Sequence, residues 1–216
     1  MNKIIVLSGI DGAGKSTQIK KIENFLLDKN KKVMVIWSRG GYTPLFNGLK
    51  LLIRKIMPRS IPKPGESKER DRTFSKKYIR TLWTNIALVD LILLYGLYFR
   101  ILNLFGYTII ADRYLWDTYI DFKLKFNNDN FERSVLWKIL LRLSPSPNLS
   151  FLLTIPVEES LNRSYLKNEP FSENFNQRES RLKLYTELIA KEFWDNIIDG
   201  LMPIDKVWSN IKNKLE

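Results

Sequence analysis

Short β-type runs alternate with long helical patterns along this chain. Apolar, strand-like runs fall at 3–8, 33–37 (Val-Met-Val-Ile-Trp), 107–111 (Tyr-Thr-Ile-Ile-Ala) and 149–155. The stretches between them carry apolar residues at helical spacing, as at Ile19, Ile22, Phe25 and Leu26. Strands that alternate with helices predict an α/β domain built on a parallel sheet. Residues 58–75 hold three prolines among many charges, a composition expected of a mobile surface segment within the domain. No repeat and no composition shift marks a boundary, so residues 1–216 read as one domain.

From Tyr78 to Phe105 the pattern predicts a helix of unusual apolarity, including Leu82-Trp83, Ile86 to Val89 and Leu91 to Tyr95. A membrane span needs ~20 apolar residues, and Asp90 near its middle would cost ~2.5–3.5 kcal/mol. A buried helix, or one shared with a second subunit, is the expected outcome. On a helical wheel Asn85, Gly96, Arg100 and Asn103 fall within roughly 60° of one another, and Asp90 sits roughly 80° beyond them. Asp90 therefore projects from the apolar side, where a carboxylate needs a partner or a cavity. A salt bridge and a contact to a bound ligand both stay open for it.

The strongest chemical signal follows the first strand. Residues 9–17 read Gly-Ile-Asp-Gly-Ala-Gly-Lys-Ser-Thr, and the spacing Gly9-x4-Gly14-Lys15-Ser16 is that of a phosphate-binding loop. Glycines let the backbone curl so that the N–H groups of Gly12, Ala13, Gly14 and Lys15, continuing into Ser16 and Thr17, cradle a polyphosphate. The Lys15 ammonium then reaches the β- and γ-phosphates, and the Ser16 hydroxyl ligates Mg²⁺. The expected ligands are thus a nucleoside triphosphate and Mg²⁺.

Composition narrows the chemistry further. The 216 residues contain no cysteine and no histidine, which excludes disulfides, thiolate nucleophiles and imidazole acid/base chemistry. The apolar run before Asp11 is too short for a signal peptide, so the expected location is cytoplasmic. The formal net charge of +12 suits a nucleic-acid partner or a site for two polyphosphates equally. The basic residues are spread along the chain; the nearest approach to a cluster, Lys63 to Lys77, also contains Glu66, Glu69 and Asp71. No nucleic-acid-binding motif accompanies them, and a small-molecule phosphate acceptor is the expected partner.

The second signal is Asp112-Arg113, at the end of the apolar strand at 107–111. Ligands of open α/β sheets sit at the carboxyl ends of strands, so both residues should emerge beside the loop at 9–17. There Asp112 can hold the water shell of the metal and Arg113 can clamp a phosphate bidentately.

With these elements in hand, the chain resembles the thymidylate kinase family of nucleoside monophosphate kinases over nearly its full length. The family opening Gly-x-Asp-Gly-Ala-Gly-Lys-Ser/Thr-Thr is met by Gly9 to Thr17, and its Asp-Arg-Tyr by Asp112-Arg113-Tyr114. Its Pro-Asp-Leu is approached by Pro147-Asn148-Leu149, and its Pro-Glu-x-x-Leu-x-Arg by Val157 to Arg163. Its Phe-x-x-Arg-x-x-Arg with a following Tyr is approached by Phe175, Arg178, Arg181 and Tyr185, and its late Ile-Asp-Ala/Gly by Ile198-Asp199-Gly200.

The resemblance implies a three-layer α/β/α P-loop domain with about five parallel strands, which binds ATP and Mg²⁺ and transfers the ATP γ-phosphoryl to the phosphate of a monophosphate. Lys15 and the loop would hold the donor, Ser16 and Asp112 the metal, Arg113 the acceptor phosphate, and Asp11 the acceptor's 3′-hydroxyl. Gly12 stands where some members carry Arg, which implies a donor-binding cation from a helical lid at about 161–176. Arg163, Lys167, Arg178 and Arg181 lie in or beside that region; Arg163 is the catalytic candidate and Arg178 the donor-binding one. Arg39 in Ser38-Arg39-Gly40-Gly41 loosely matches an acceptor-phosphate Arg. The resemblance also implies a homodimer.

Departures gather where the acceptor base should lie. The family's base-contacting Phe and Arg fall on Ala87 and Leu91, although Asp90 matches the Asp that often precedes the Arg; Tyr-Gln falls on Asp121-Phe122, and a later Asp on Thr154. Two alternatives to dTMP as acceptor therefore stand: a kinase of this fold acting on another nucleotide, a sugar phosphate or a lipid-linked acceptor with peripheral membrane contact, or a nucleotide-binding switch with little turnover.

Overall fold

The structure is a computed structural model that describes residues 3–38, 77–126, 131–167 and 173–216. Arg39 and the segment at 58–75 lie outside the described residues. Five parallel strands form one sheet in the order β2-β3-β1-β4-β5: β1 Ile4–Gly9, β2 Lys32–Trp37, β3 Tyr107–Asp112, β4 Leu149–Thr154 and β5 Asn196–Asp199. The first four match the four predicted runs to within a residue or two. β5 is a strand that the sequence pattern does not reveal, because its four residues are too few to show alternation.

Strand β1 is buried along its whole length and pairs with β3 on one side and β4 on the other. A parallel strand covered on both faces is expected to be apolar throughout, as Ile-Ile-Val-Leu is. Successive side chains point to opposite faces, which divides the core. Ile5 and Leu7 join Ile22, Tyr185 and Ile211 on one side. Ile4 and Val6 join Ala87, Leu88, Leu91, Tyr95 and Phe99 on the other. Helices thus cover both faces, as the three-layer expectation requires.

Among the described residues the α-helices in chain order are α1 Lys15–Asp28, α2 Lys77–Leu91, α3 Phe99–Leu104, α4 Leu115–Phe126, α5 Val135–Leu143, α6 Val157–Leu166, α7 Phe175–Ile189 and α8 Ile204–Leu215. Between α2 and α3 the chain stays helical but widens into a π-helical stretch, Ile92–Tyr98. The unbroken α-helix expected over 78–105 is corrected here. Phe99 N–H reaches back to the Leu94 carbonyl, an i→i+5 bond with no signature in hydrophobic spacing. Within this stretch Gly96 packs against α5; a Cβ on it would stand 3.1 Å from that of Leu143.

Residues Ile79–Leu104 are long and apolar enough to cross a membrane by length and composition. Their inward side, with Ala87, Leu88, Leu91, Tyr95 and Phe99 at 0% exposure, nevertheless forms the core against the sheet. Leu82, Val89, Leu93 and Leu97 on the outward side are exposed.

Candidate active site

The loop after β1 has the backbone that its glycines predict. Gly9, Gly12 and Gly14 adopt φ of +140°, +78° and +94°. At Gly12 a Cβ would also stand 3.0 Å from the Ser160 carbonyl and 3.3 Å from the Arg163 Cβ. An Arg at this position would have to displace α6 as well as adopt a left-handed backbone, so the loop and α6 are matched to glycine. Gly14 precedes α1, whose first turn presents Lys15, Ser16 and Thr17; Ser16 and Thr17 are exposed. Positive backbone charge at a helix start suits an anion.

Strand registration brings the other chemistry to the same level. Leu7 pairs with Asp112, and Trp37 pairs with Asp112 from the other side. The carboxyl ends of β1, β2 and β3 therefore open together around a cavity of about 150 Å³. Its walls are Asp11, Gly12, Gly14, Lys15 and Ser16 from the loop and helix start, Trp37, Asp112 and Arg113 from the strand ends, and Lys167 from the end of α6. The sequence expectation that Asp112 and Arg113 emerge beside the loop is met by this arrangement.

Lys15 is almost wholly buried, and its Nζ donates to the carbonyls of Gly9 (3.0 Å) and Ile10 (2.9 Å). Burial, reinforced by the Arg113 charge, lowers its pKa to about 8, against the opposing pull of Asp112 and Asp11. Beside it, burial raises the carboxyl pKa of Asp112, while Lys15 and Arg113 act the other way.

The Asp112 Oδ1 is buried without a hydrogen-bond partner. An orphaned carboxylate oxygen and an exposed serine hydroxyl, from two residues that line one cavity, are a hard-oxygen donor set that fits Mg²⁺. Among the described residues no group of three or more acidic side chains could hold a metal. A magnesium ion held here would complete its shell with water and phosphate oxygens, as that ion commonly does.

Arg113 leaves β3 with φ of +74°. Its N–H donates to the Leu7 carbonyl at 2.9 Å and its carbonyl accepts from Ser38 Oγ at 3.0 Å. Its side chain is buried, with one terminal nitrogen donating to Asp11 Oδ1 at 2.6 Å. The other faces the Tyr185 hydroxyl at 3.4 Å and Asp117 Oδ1 at 3.8 Å. Burial opposes the charge, but Tyr185, Asp11 and Asp117 outweigh it and hold the pKa above the ordinary arginine value.

The lid candidates separate. Arg163 is partly exposed, pairs with Glu159 at 2.6 Å, and donates to the carbonyls of Gly12 (3.3 Å) and Gly200 (3.1 Å). It lies against the loop. Arg178 is fully buried; it donates to the hydroxyls of Ser160 and Ser164 and to the Glu173 carbonyl. Its link to the loop is indirect, since Ser160 Oγ in turn donates to the Asp11 carbonyl at 2.6 Å. Arg181 is likewise buried between Asp121 (2.8 Å) and Glu173 (2.6 Å). Arg178, the donor-binding candidate, and Arg181 are thus buried charges whose serine and carboxylate partners offset the desolvation, and neither lines the cavity.

Asp90 is buried on the inward side of α2, as its place on the wheel predicts. Ala87 and Leu91 have no exposure and pack in the core rather than on the cavity. Sequence reasoning missed Asp117, whose only available signal was its position four residues after Arg113 at the start of a helix. It also missed Ser160 and Ser38.

No family model matches the chain. Individual proteins do. A Metallosphaera sedula protein named "Probable thymidylate kinase" is 26% identical over 209 residues, 95% of this chain and 88% of its own length. The thymidylate kinase of Thermosipho melanesiensis is 26% identical over 216 residues, covering 98% of this chain and 96% of its own. That of Nitrosospira multiformis reaches 50% identity over 48 residues, 22% of this chain and 23% of its own. The chain is thus similar to thymidylate kinases from end to end at modest identity.

Proposed function

We propose that this chain is an ATP-dependent nucleoside monophosphate kinase, with dTMP as the first acceptor to test. The observation that carries the proposal is the single cavity that gathers Lys15 and Ser16 with Asp112, Arg113 and Asp11. A triphosphate-binding loop alone is shared by many activities; a buried arginine clamp and a carboxylate facing it argue for a second bound phosphate compound. The relatives' names and the full-length similarity support the same reading.

In this reading Lys15 and the loop amides neutralise the β- and γ-phosphates, and Arg113 orients the acceptor phosphate. Asp11 contacts the acceptor beside that phosphate. Ser16 and Asp112 would hold the metal, and Mg²⁺, when bound, would supply charge neutralisation at the donor phosphates. The Arg163 guanidinium, already against Gly12, supplies lid charge near the donor, and Arg178 holds α6 and the loop in register behind it. Phosphoryl transfer depends chiefly on position and charge, which is what these residues furnish. The residues act within one domain, in a soluble cytoplasmic enzyme.

A second reading is favoured by one observation: Ala87 and Leu91, where the family places its base contacts, are core residues. That reading keeps the donor chemistry but moves to another acceptor. A coupled ADP-release assay across dTMP, the other nucleoside monophosphates and sugar phosphates separates the two. Turnover of dTMP well above the ATP-only rate is expected; turnover confined to non-nucleotide acceptors would overturn the primary reading in favour of the second.

A homodimer through the exposed Leu82, Val89, Leu93 and Leu97 face belongs to the same proposal. Sedimentation at micromolar concentration is expected to give about twice the chain mass, and a monomer would count against it.

A further inference from the structure

Asp117 lies on the first turn of α4 and is almost completely buried. Each of its oxygens is engaged. Oδ2 accepts from Ser8 Oγ at 2.6 Å and from the Tyr114 N–H at 3.0 Å. Oδ1 accepts from the Tyr185 hydroxyl and faces the Arg113 guanidinium at 3.8 Å. One carboxylate therefore ties the end of β1, the turn after β3, the start of α4 and the middle of α7 to a single arginine.

The Arg113 guanidinium has a front and a rear. The nitrogen on Asp11 is its front, since Asp11 and Arg113 both line the cavity; the other nitrogen, its rear, backs onto the Asp117–Tyr185 pair, which does not line it. We propose that Asp117 is a positioning residue for acceptor binding: with Tyr185 it fixes the rear edge of the Arg113 fork, so that the front edge presents its donors to the acceptor phosphate in one orientation. This rests on Arg113 being the acceptor-phosphate group.

The physical case is one of geometry rather than of net charge. Arginine recognises phosphate through a planar fork, and the advantage over a flexible cation is lost if the fork can rotate. Arg113 hangs from a left-handed residue at a strand end, a backbone that fixes where the side chain starts but not how its far end is turned. Asp11 cannot supply that restraint alone, because it touches the same edge that the phosphate must use. A buried carboxylate on the opposite edge can, and its remaining lone pairs are held by Ser8 and Tyr114.

The test uses Asp117→Asn, which preserves size but turns one acceptor into a donor facing Tyr185 and Arg113. With dTMP varied at saturating ATP and Mg²⁺, the KM for dTMP is expected to rise roughly tenfold. The KM for ATP should stay within about twofold, because the loop is untouched. Tyr185→Phe should raise the dTMP KM by about threefold, and the double variant should be little worse than Asp117→Asn alone, as coupled partners behave.

Nitrogen-detected NMR of the Arg113 guanidinium supplies a readout that a purely structural role would not move. Resolved, slowly rotating signals in the wild type should collapse to an averaged one in Asp117→Asn. An unchanged dTMP KM together with an unchanged guanidinium signal overturns the inference, and so does an equal rise in both KM values. If Asp117→Asn fails to fold, Tyr185→Phe carries the same two measurements. Arg113→Lys separates the inference from its premise: an unchanged dTMP KM in that variant overturns the acceptor reading of Arg113, while the guanidinium signal still decides whether Asp117 holds it.

Discussion

Replacing Lys15 with methionine lowers kcat by at least ~10²–10³-fold while making the folded protein more stable at neutral pH. The loss follows from the removal of a preorganised cation at the phosphates, where a single donor is commonly worth that much. The gain follows from burial. In the fold the Lys15 pKa is lowered from 10.5 to about 8, so holding its proton at pH 7 costs about 3 kcal/mol relative to the unfolded chain. A group with a depressed folded pKa contributes its stability above the unfolded pKa and loses it as pH falls through the folded one. Wild-type stability should therefore rise, relative to Lys15→Met, as pH climbs from about 8 to above 10.5.

Urea melts of both proteins at pH 7 and pH 10 measure the difference. Parallel behaviour at the two pH values would show that Lys15 is not perturbed. The same lowered pKa predicts that wild-type kcat/KM for ATP falls above pH 8, because that ratio reports the free enzyme. The charge that catalysis needs is thus maintained against stability, a common tension at functional sites.

The second large effect is on the acceptor side. Arg113→Lys is expected to cut kcat/KM for the acceptor by ~10²–10³-fold, with the KM for ATP within about twofold of wild type. Lysine keeps the charge but replaces a bidentate fork by a point donor, and hydrogen bonds to charged groups contribute about 1.5–3 kcal/mol each. Arg113→Ala should behave worse for a different reason. It removes the cation that faces the carboxylates of Asp11 and Asp117, the latter almost fully buried, and breaking a buried pair from one side costs about 3–5 kcal/mol. Steady-state kinetics of the lysine variant with thermal melts of both variants separate the two losses. An acceptor kcat/KM that survives Arg113→Lys would remove Arg113 from the acceptor site.

The sequence and the structure agree best where a signal is local. Strands β1 to β4 and the phosphate loop are legible because hydrophobic period and glycine spacing are properties of neighbouring residues. The strand order is not, since it depends on pairings between segments a hundred residues apart, such as Ile4 with Ile109. The same limit explains the lid arginines. Nothing adjacent to Arg178 or Arg181 distinguishes a buried cation from a solvated one; the distinction lies in Ser160, Ser164 and Asp121, which other helices bring to them. Asp117 was overlooked for a related reason, because a carboxylate at a helix start already has an ordinary explanation in the helix dipole. The π-helical widening after Leu91 leaves no trace in a pattern read at α-helical spacing.

Trp37, paired at the end of β2 with Asp112, is 48% exposed and forms part of the cavity wall. Of the six tryptophans it is the one on that wall; Trp83, Trp116, Trp137, Trp194 and Trp208 lie elsewhere and give a constant background. Indole emission responds to the polarity and charge around the ring, so the chain carries a built-in optical reporter at the mouth of the site. Ligand entry can thus be followed on unlabelled protein, in real time, before any turnover is measured.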